Sequence, residues 1–212
     1  MRITESAKLE TQQRIVTAAR KLFVEKGFDA TTTRDLAAEA GIATGTLFNY
    51  FPAKEALALE LMLEAAAAAR LEVAGRDAAS GGLAEKLFLL VATEIRHLRP
   101  CRGFVKAVLE TSLSPFASGE AESPGGRYRR EHLQLLERML REHGAEVAVA
   151  TSFIALHLYW TLYIGVLAFW AEDDSPNQEE TLVALDQATR LFVDWLGSAG
   201  SQPSHLPGVV KE

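Results

Sequence analysis

Between Arg14 and Leu57, three short apolar patterns at helical spacing are separated by two glycines, and nothing else in the chain restricts its fold as much. Ile15, Ala18, Ala19, Leu22 and Phe23 recur at intervals of three and four, which is one face of an amphipathic helix. Gly27 suits the left-handed residue that ends this helix, with Phe28 folding back on Phe23. Thr32 fits the N-cap of a second helix, and Asp35 completes an Asp variant of the capping box. Leu36 and Ala37 face inward, Gly41 breaks the helix after Ala40, and Ile42 plugs the turn. A third helix follows through Thr44, Gly45, Thr46, Leu47, Phe48, Asn49 and Tyr50, with Leu47 and Phe51 inward. Pro52 suits the first turn of a fourth, where its missing N–H costs nothing. This is the layout of a helix-turn-helix.

The third helix has the chemistry of a DNA reader. Thr44, Gly45 and Thr46 carry no long side chain, so the backbone there can approach base edges in a major groove. Threonine hydroxyls donate or accept, and their methyls can touch a thymine methyl. A helix N-terminus also favours phosphate. Asn49, Tyr50 and Lys54 add polar groups on the outer side. The competing reading of the same pattern is an ordinary three-helix core.

The segments AARKLFVEKGFDATTTRDLAAEAGI and TGTLFNYFPAKEAL resemble the N-terminal domain of the TetR (tetracycline repressor) family of transcriptional regulators. The resemblance implies an all-α homodimer of about nine helices per subunit. It implies that this domain binds a pseudo-palindromic operator in double-stranded DNA, while a variable C-terminal domain binds an effector. By position, it assigns DNA contacts to Thr32, Thr33, Arg34, Thr46, Tyr50 and Lys54. Two residues depart from the family pattern. Phe48 stands where a tyrosine usually reaches phosphate through its hydroxyl, and Ala43 stands where a capping serine is common.

Charge agrees with an N-terminal DNA side. The net charge is −6, yet residues 1–70 hold nine basic and nine acidic residues, so the excess of acid lies in residues 71–212. An acidic half repels a phosphate backbone. The chain has one cysteine, Cys101, so no intrachain disulfide forms. The polar, charged N-terminus is not that of a signal peptide, which makes the cytoplasm the expected location. Val147 to Ala171 is 25 residues without Asp, Glu, Lys or Arg, long enough to span a membrane. Its two apolar stripes fit better a helix buried on both sides, so no membrane partner is expected.

Helical spacing continues to residue 197, and no strand pattern competes with it. The fourth helix, 52–73, connects a DNA-binding domain of residues 8–54 to an effector-binding and dimerisation domain of residues 74–197. Residues 198–212 read as a disordered tail. The Gly-, Ser- and Pro-rich stretch Ser114–Gly126 reads as a mobile loop. Phe88, Phe104, Trp160 and Tyr163 are candidates to line a pocket for an apolar or aromatic effector, with His157 as its polar contact. A solid core is the alternative reading of these aromatics. The double-faced eighth and ninth helices suggest a four-helix dimer interface, with Leu182, Leu185, Phe192 and Trp195 as candidates. No metal-ligand spacing, phosphate loop or nucleophile elbow occurs, so no catalytic residue, metal or cofactor is expected. Two further readings stay open: a ligand-insensitive regulator or activator, and a thiol sensor through Cys101 beside Arg99 and Arg102.

Overall fold

The computed structural model describes residues 4–75, 81–113, 123–146 and 150–199, and the regular structure among them is helical. The order is α1 (Glu5–Glu25), α2 (Thr33–Glu39), α3 (Thr44–Tyr50), α4 (Lys54–Ala74), α5 (Leu83–Leu98), α6 (Arg102–Val108), α7 (Pro124–Glu142), α8 (Phe153–Glu172) and α9 (Glu179–Ala199). A π-helical turn, Leu109–Leu113, continues α6. The mobile-loop expectation falls mostly on residues outside those described. Its end instead begins α7: the Ser123 hydroxyl accepts from Gly126 N at 3.1 Å, and Pro124 takes the first turn. Gly125 is needed there, because a Cβ would lie 2.6 Å from the carbonyl oxygen of Ser112. The disordered-tail expectation likewise falls mostly outside the described residues, although α9 runs on to Ala199.

The first three helices close as their sequence dictates. Gly27 (φ 84°) and Gly41 (φ 67°) take left-handed conformations at the two breaks. Phe28 packs edge-on against Phe23, ring centroids 5.1 Å apart. Ile42 N donates to Ala37 O at 2.9 Å and ties the turn shut. At the start of α2, Asp35 N donates to the Thr32 hydroxyl at 3.1 Å, and Thr32 N donates to the Asp35 carboxylate at 3.0 Å. That backbone N–H, then the Thr32 hydroxyl, holds the Asp35 carboxyl down at about 2. Its stabilising effect is therefore complete above about pH 4 and is lost as the pH falls through about 2. Replacing Asp35 with Asn should lower Tm at neutral pH and flatten the fall in Tm between pH 4 and pH 2. Parallel acid melts of the two proteins check this; identical slopes would exclude Asp35 as a source of acid sensitivity.

α4 leaves this unit and packs on α5, α6 and α7. The junction is aromatic. Phe104 of α6 reaches Phe23 at 5.3 Å and Phe28 at 5.7 Å between ring centroids. α6 is also fixed at its first residue: Arg102 donates to the carbonyls of Trp170 (3.3 Å) and Asp173 (2.5 Å), capping α8. α8 is apolar enough to cross a membrane by length and composition. Tyr159, Trp160, Tyr163, Leu167 and Trp170 on it are nevertheless buried in the protomer core. Its other face, with Ile154, Thr161, Gly165, Ala168 and Phe169, is exposed.

Candidate nucleic-acid interface and effector region

The turn and α3 present a shallow, open surface. Arg34, Gly45, Phe48 and Asn49 are exposed, and Thr33, Thr44, Thr46 and Tyr50 are half-buried. Tyr50 packs partly on the core, which holds α3 in place together with Leu47 and Phe51. Ala43 makes no side-chain cap, as the sequence implies. Gly45 is the informative position. It is helical, its φ is not positive, and a Cβ added there meets nothing within 4 Å. Glycine inside a helix costs about 1 kcal/mol relative to alanine, and nothing in the protein itself requires it here.

Two residues expected at DNA have internal roles. The Thr32 hydroxyl accepts from Asp35 N and also donates to the Asp35 carboxylate at 2.8 Å, so it serves the cap. Lys54 Nζ donates to the carbonyls of Phe28 (2.6 Å) and Thr31 (3.2 Å) and lies 4.2 Å from the Phe28 ring centroid. At least two of its three donors therefore tie the start of α4 to the α1–α2 connection, not to a phosphate. Several other cations are paired: Arg20 with Glu64, Lys21 with Glu39, and Lys26 with Asp35. Arg34 has no ion pair among the described residues.

The expected effector residues do not come together. Phe104 is buried at the junction with α1, because it completes the Phe23–Phe28 cluster. Phe88 is half-buried beside a groove shared with Asp186 and Arg190. His157 stacks on exposed Phe153 at 5.4 Å and faces Arg129, away from the centre. Only Trp160 and Tyr163 reach the middle of the C-terminal helices. The histidine there is His132, which stacks on Tyr163 with centroids 4.0 Å apart. His132 Nε2 lies 3.1 Å from the Tyr159 hydroxyl, and the Tyr163 and Tyr128 hydroxyls are 2.7 Å apart. Burial, then the charge of Glu94, pushes these three phenols well up, so they stay neutral. Glu94 and His132 are both 0% exposed. Their signal in the sequence was a polar residue set in an apolar stripe: Glu94 among Leu87, Leu90, Val91 and Leu98, and His132 among Tyr128, Leu136 and Leu140.

The dimer candidates also divide. Leu185 and Phe192 face the protomer's own core, at 2% and 0% exposure, because α9 packs on α5 and α8. Trp195 is half-buried, and Leu182 is exposed. The apolar side chains left exposed on these two helices include Leu182, Val183 and Leu191 of α9 and Ile154 and Phe169 of α8. Burial also pushes the Cys101 thiol up to about 12, so the thiolate that oxidants attack is scarce at neutral pH.

Residues 15–61 match the profile of the family described as bacterial regulatory proteins, tetR family. Residues 86–206 match that of the tetracyclin repressor-like, C-terminal domain. The HTH-type transcriptional repressor KstR2 of Rhodococcus jostii is 39% identical over 57 residues, which is 27% of this chain and 28% of that protein. The chain aligns with less than a third of the length of the curated relatives it matches, as with the uncharacterized regulator YuxN of Bacillus subtilis at 18%. Among solved structures, a FadR repressor of Thermus thermophilus in complex with lauroyl-CoA superposes with a TM-score of 0.64. The match is at 23% identity and covers 94% of this chain and 100% of that one. A TetR regulator from Rhodococcus sp. RHA1 gives the same TM-score at 20% identity, covering 90% and 98%.

Proposed function

Because this chain belongs to the tetR family of bacterial regulatory proteins, we propose that it is a cytoplasmic, homodimeric DNA-binding repressor that leaves its operator when a small, largely apolar ligand binds. Residues 8–54 read DNA, α4 connects, and residues 74–197 bind the effector and the second subunit. Two α3 helices must then sit about 34–36 Å apart to enter successive major grooves. A ligand that favours a different spacing weakens binding to the operator.

The observation that carries the reading is Gly45. A solvent-open glycine between Thr44 and Thr46, in a helix that would be more stable with alanine, fits a backbone that another molecule must approach. Support for the apolar effector comes from the aromatic interior around Trp160, Tyr163 and Tyr159. The FadR of Thermus thermophilus, which binds lauroyl-CoA, shares the fold. Support for the dimer is the uncharged stripe on α8 that the protomer leaves open. The high thiol pKa of Cys101 weighs against oxidation as the signal.

The test is Gly45→Ala, with an operator selected by the protein itself from a random duplex pool. The variant should be more stable by about 0.5–1 kcal/mol. It should also bind the operator about tenfold more weakly, on the scale of one lost base contact. Nonspecific binding and its salt slope should not change, since no phosphate contact is removed. A variant that gains stability and keeps full operator affinity would remove α3 as the close-approach element.

A further inference from the structure

Resting on the ligand-released reading above, we propose that Arg70, Glu94 and His132 form the polar end of the effector site, and that they take the neutral hydroxyl of an otherwise apolar ligand entering between α4, α5 and α7.

The geometry starts with five polar atoms that converge inside the C-terminal helices. Both Glu94 carboxylate oxygens, His132 Nδ1, and Nε and Nη2 of Arg70 have no hydrogen-bond partner among the described residues. Glu94 Oε1 lies 3.4 Å from His132 Nδ1 and 3.9 Å from Arg70 Nε, as ion-pair neighbours that make no hydrogen bond. Buried polar groups in native proteins are nearly always satisfied, because leaving one unpaired is costly. The other side of His132 is fixed by Tyr159 and Tyr163, so the ring cannot simply turn toward Glu94. Arg70 is held by Glu131 at 3.0 Å through Nη1, which leaves Nε, 3.9 Å from Glu94, and Nη2 buried without a hydrogen bond among the described residues.

Arg70 is also a wall of a groove of about 360 Å³ between α4, α5 and α7. Its other walls include Val73, Leu90, Leu135 and Met139, with one further charge of each sign, Lys86 and Glu142. Leu90 lies one turn before Glu94, and Leu135 lies one turn after Glu131 and His132, so the groove wall sits one helical turn from the buried pair, and Arg70 belongs to both. The size suits a small molecule, and most of the lining suits hydrocarbon.

Charge selects the tip of that molecule. An anion that reached Arg70 would meet Glu94 and Glu131, and a cation that reached Glu94 would meet Arg70. A hydroxyl carries no charge, accepts from Arg70 or His132, and donates to Glu94. It therefore satisfies several of the five atoms at once without an unpaired charge.

The experiment titrates the full chain with 1-decanol, decanoate and decylammonium by calorimetry, and follows operator binding in parallel. Decanol should bind about tenfold or more tightly than either ion. Glu94→Gln removes the repulsion and should narrow the gap between decanol and decanoate. Leu135→Trp fills the groove without touching the cluster. It should abolish decanol binding while the melting temperature stays at or above that of the parent. Decanoate binding as tightly as decanol, or decanol affinity that ignores both substitutions, overturns the assignment. If decanol binds as described but operator affinity does not fall, the site stands and ligand release fails. If another compound releases the operator equally from the parent and from Glu94→Gln, release stands and this site fails.

Discussion

Gly165→Glu is expected to convert the protein into a folded monomer that no longer holds its operator at working concentrations. Gly165 sits in the middle of the exposed α8 stripe, and a Cβ added there meets nothing within 4 Å, so the protomer itself should tolerate the change. In a two-fold dimer built on α8 and α9 the new carboxylate appears twice at the interface. Each buried, unpaired charge costs about 3–5 kcal/mol. The dissociation constant of the dimer should therefore rise by several orders of magnitude. Operator affinity falls with it, because the two reading helices are no longer linked. Sedimentation velocity over a dilution series, with circular dichroism to verify folding, makes the measurement. A dimer of parental affinity would place the interface away from α8.

Phe104→Ala should have the largest effect on stability. Phe104 is 3% exposed and lies against both Phe23 and Phe28. Truncating a buried phenylalanine costs about 3–5 kcal/mol. The loss falls at the seam between the DNA reader and the C-terminal helices. Denaturant unfolding should thus split from one transition into two, with residues 8–54 melting first. Ligand should also lose its influence on operator binding even where ligand still binds, since Phe104 links α6 to this aromatic cluster. A single transition with a loss under about 1 kcal/mol would falsify the role of Phe104 as the seam.

The local elements were legible because their signals are local. Gly27, Thr32 with Asp35, and Gly41 each act within a few residues, and each does in the structure what its chemistry dictates. The exposure of Gly45 and Arg34 is legible for the same reason, since it needs no distant partner. Long-range partners were not. An apolar face on α6 shows that Phe104 is buried but not that α1 supplies Phe23 as its neighbour. On α9, Leu182 and Leu185 look alike in sequence, and only the packing of α5 and α8 turns Leu185 inward. Lys54 reads as a free cation until the carbonyls of Phe28 and Thr31, more than twenty residues earlier, are placed beside it. His157 drew notice because uncharged aromatics surround it in sequence. His132 sits among charged neighbours in sequence, yet it occupies the aromatic centre.

The burial of Cys101 has a practical consequence. A thiol that titrates near 12 is almost wholly protonated at neutral pH, and with 6% exposure it offers maleimide reagents little to attack. The native chain is therefore already a background for site-specific labelling. A cysteine placed at exposed Phe48 would become the single reactive thiol in each subunit. In the proposed dimer, one dye pair could then report the distance between the two α3 helices, with and without a proposed ligand, while the native cysteine stays in place.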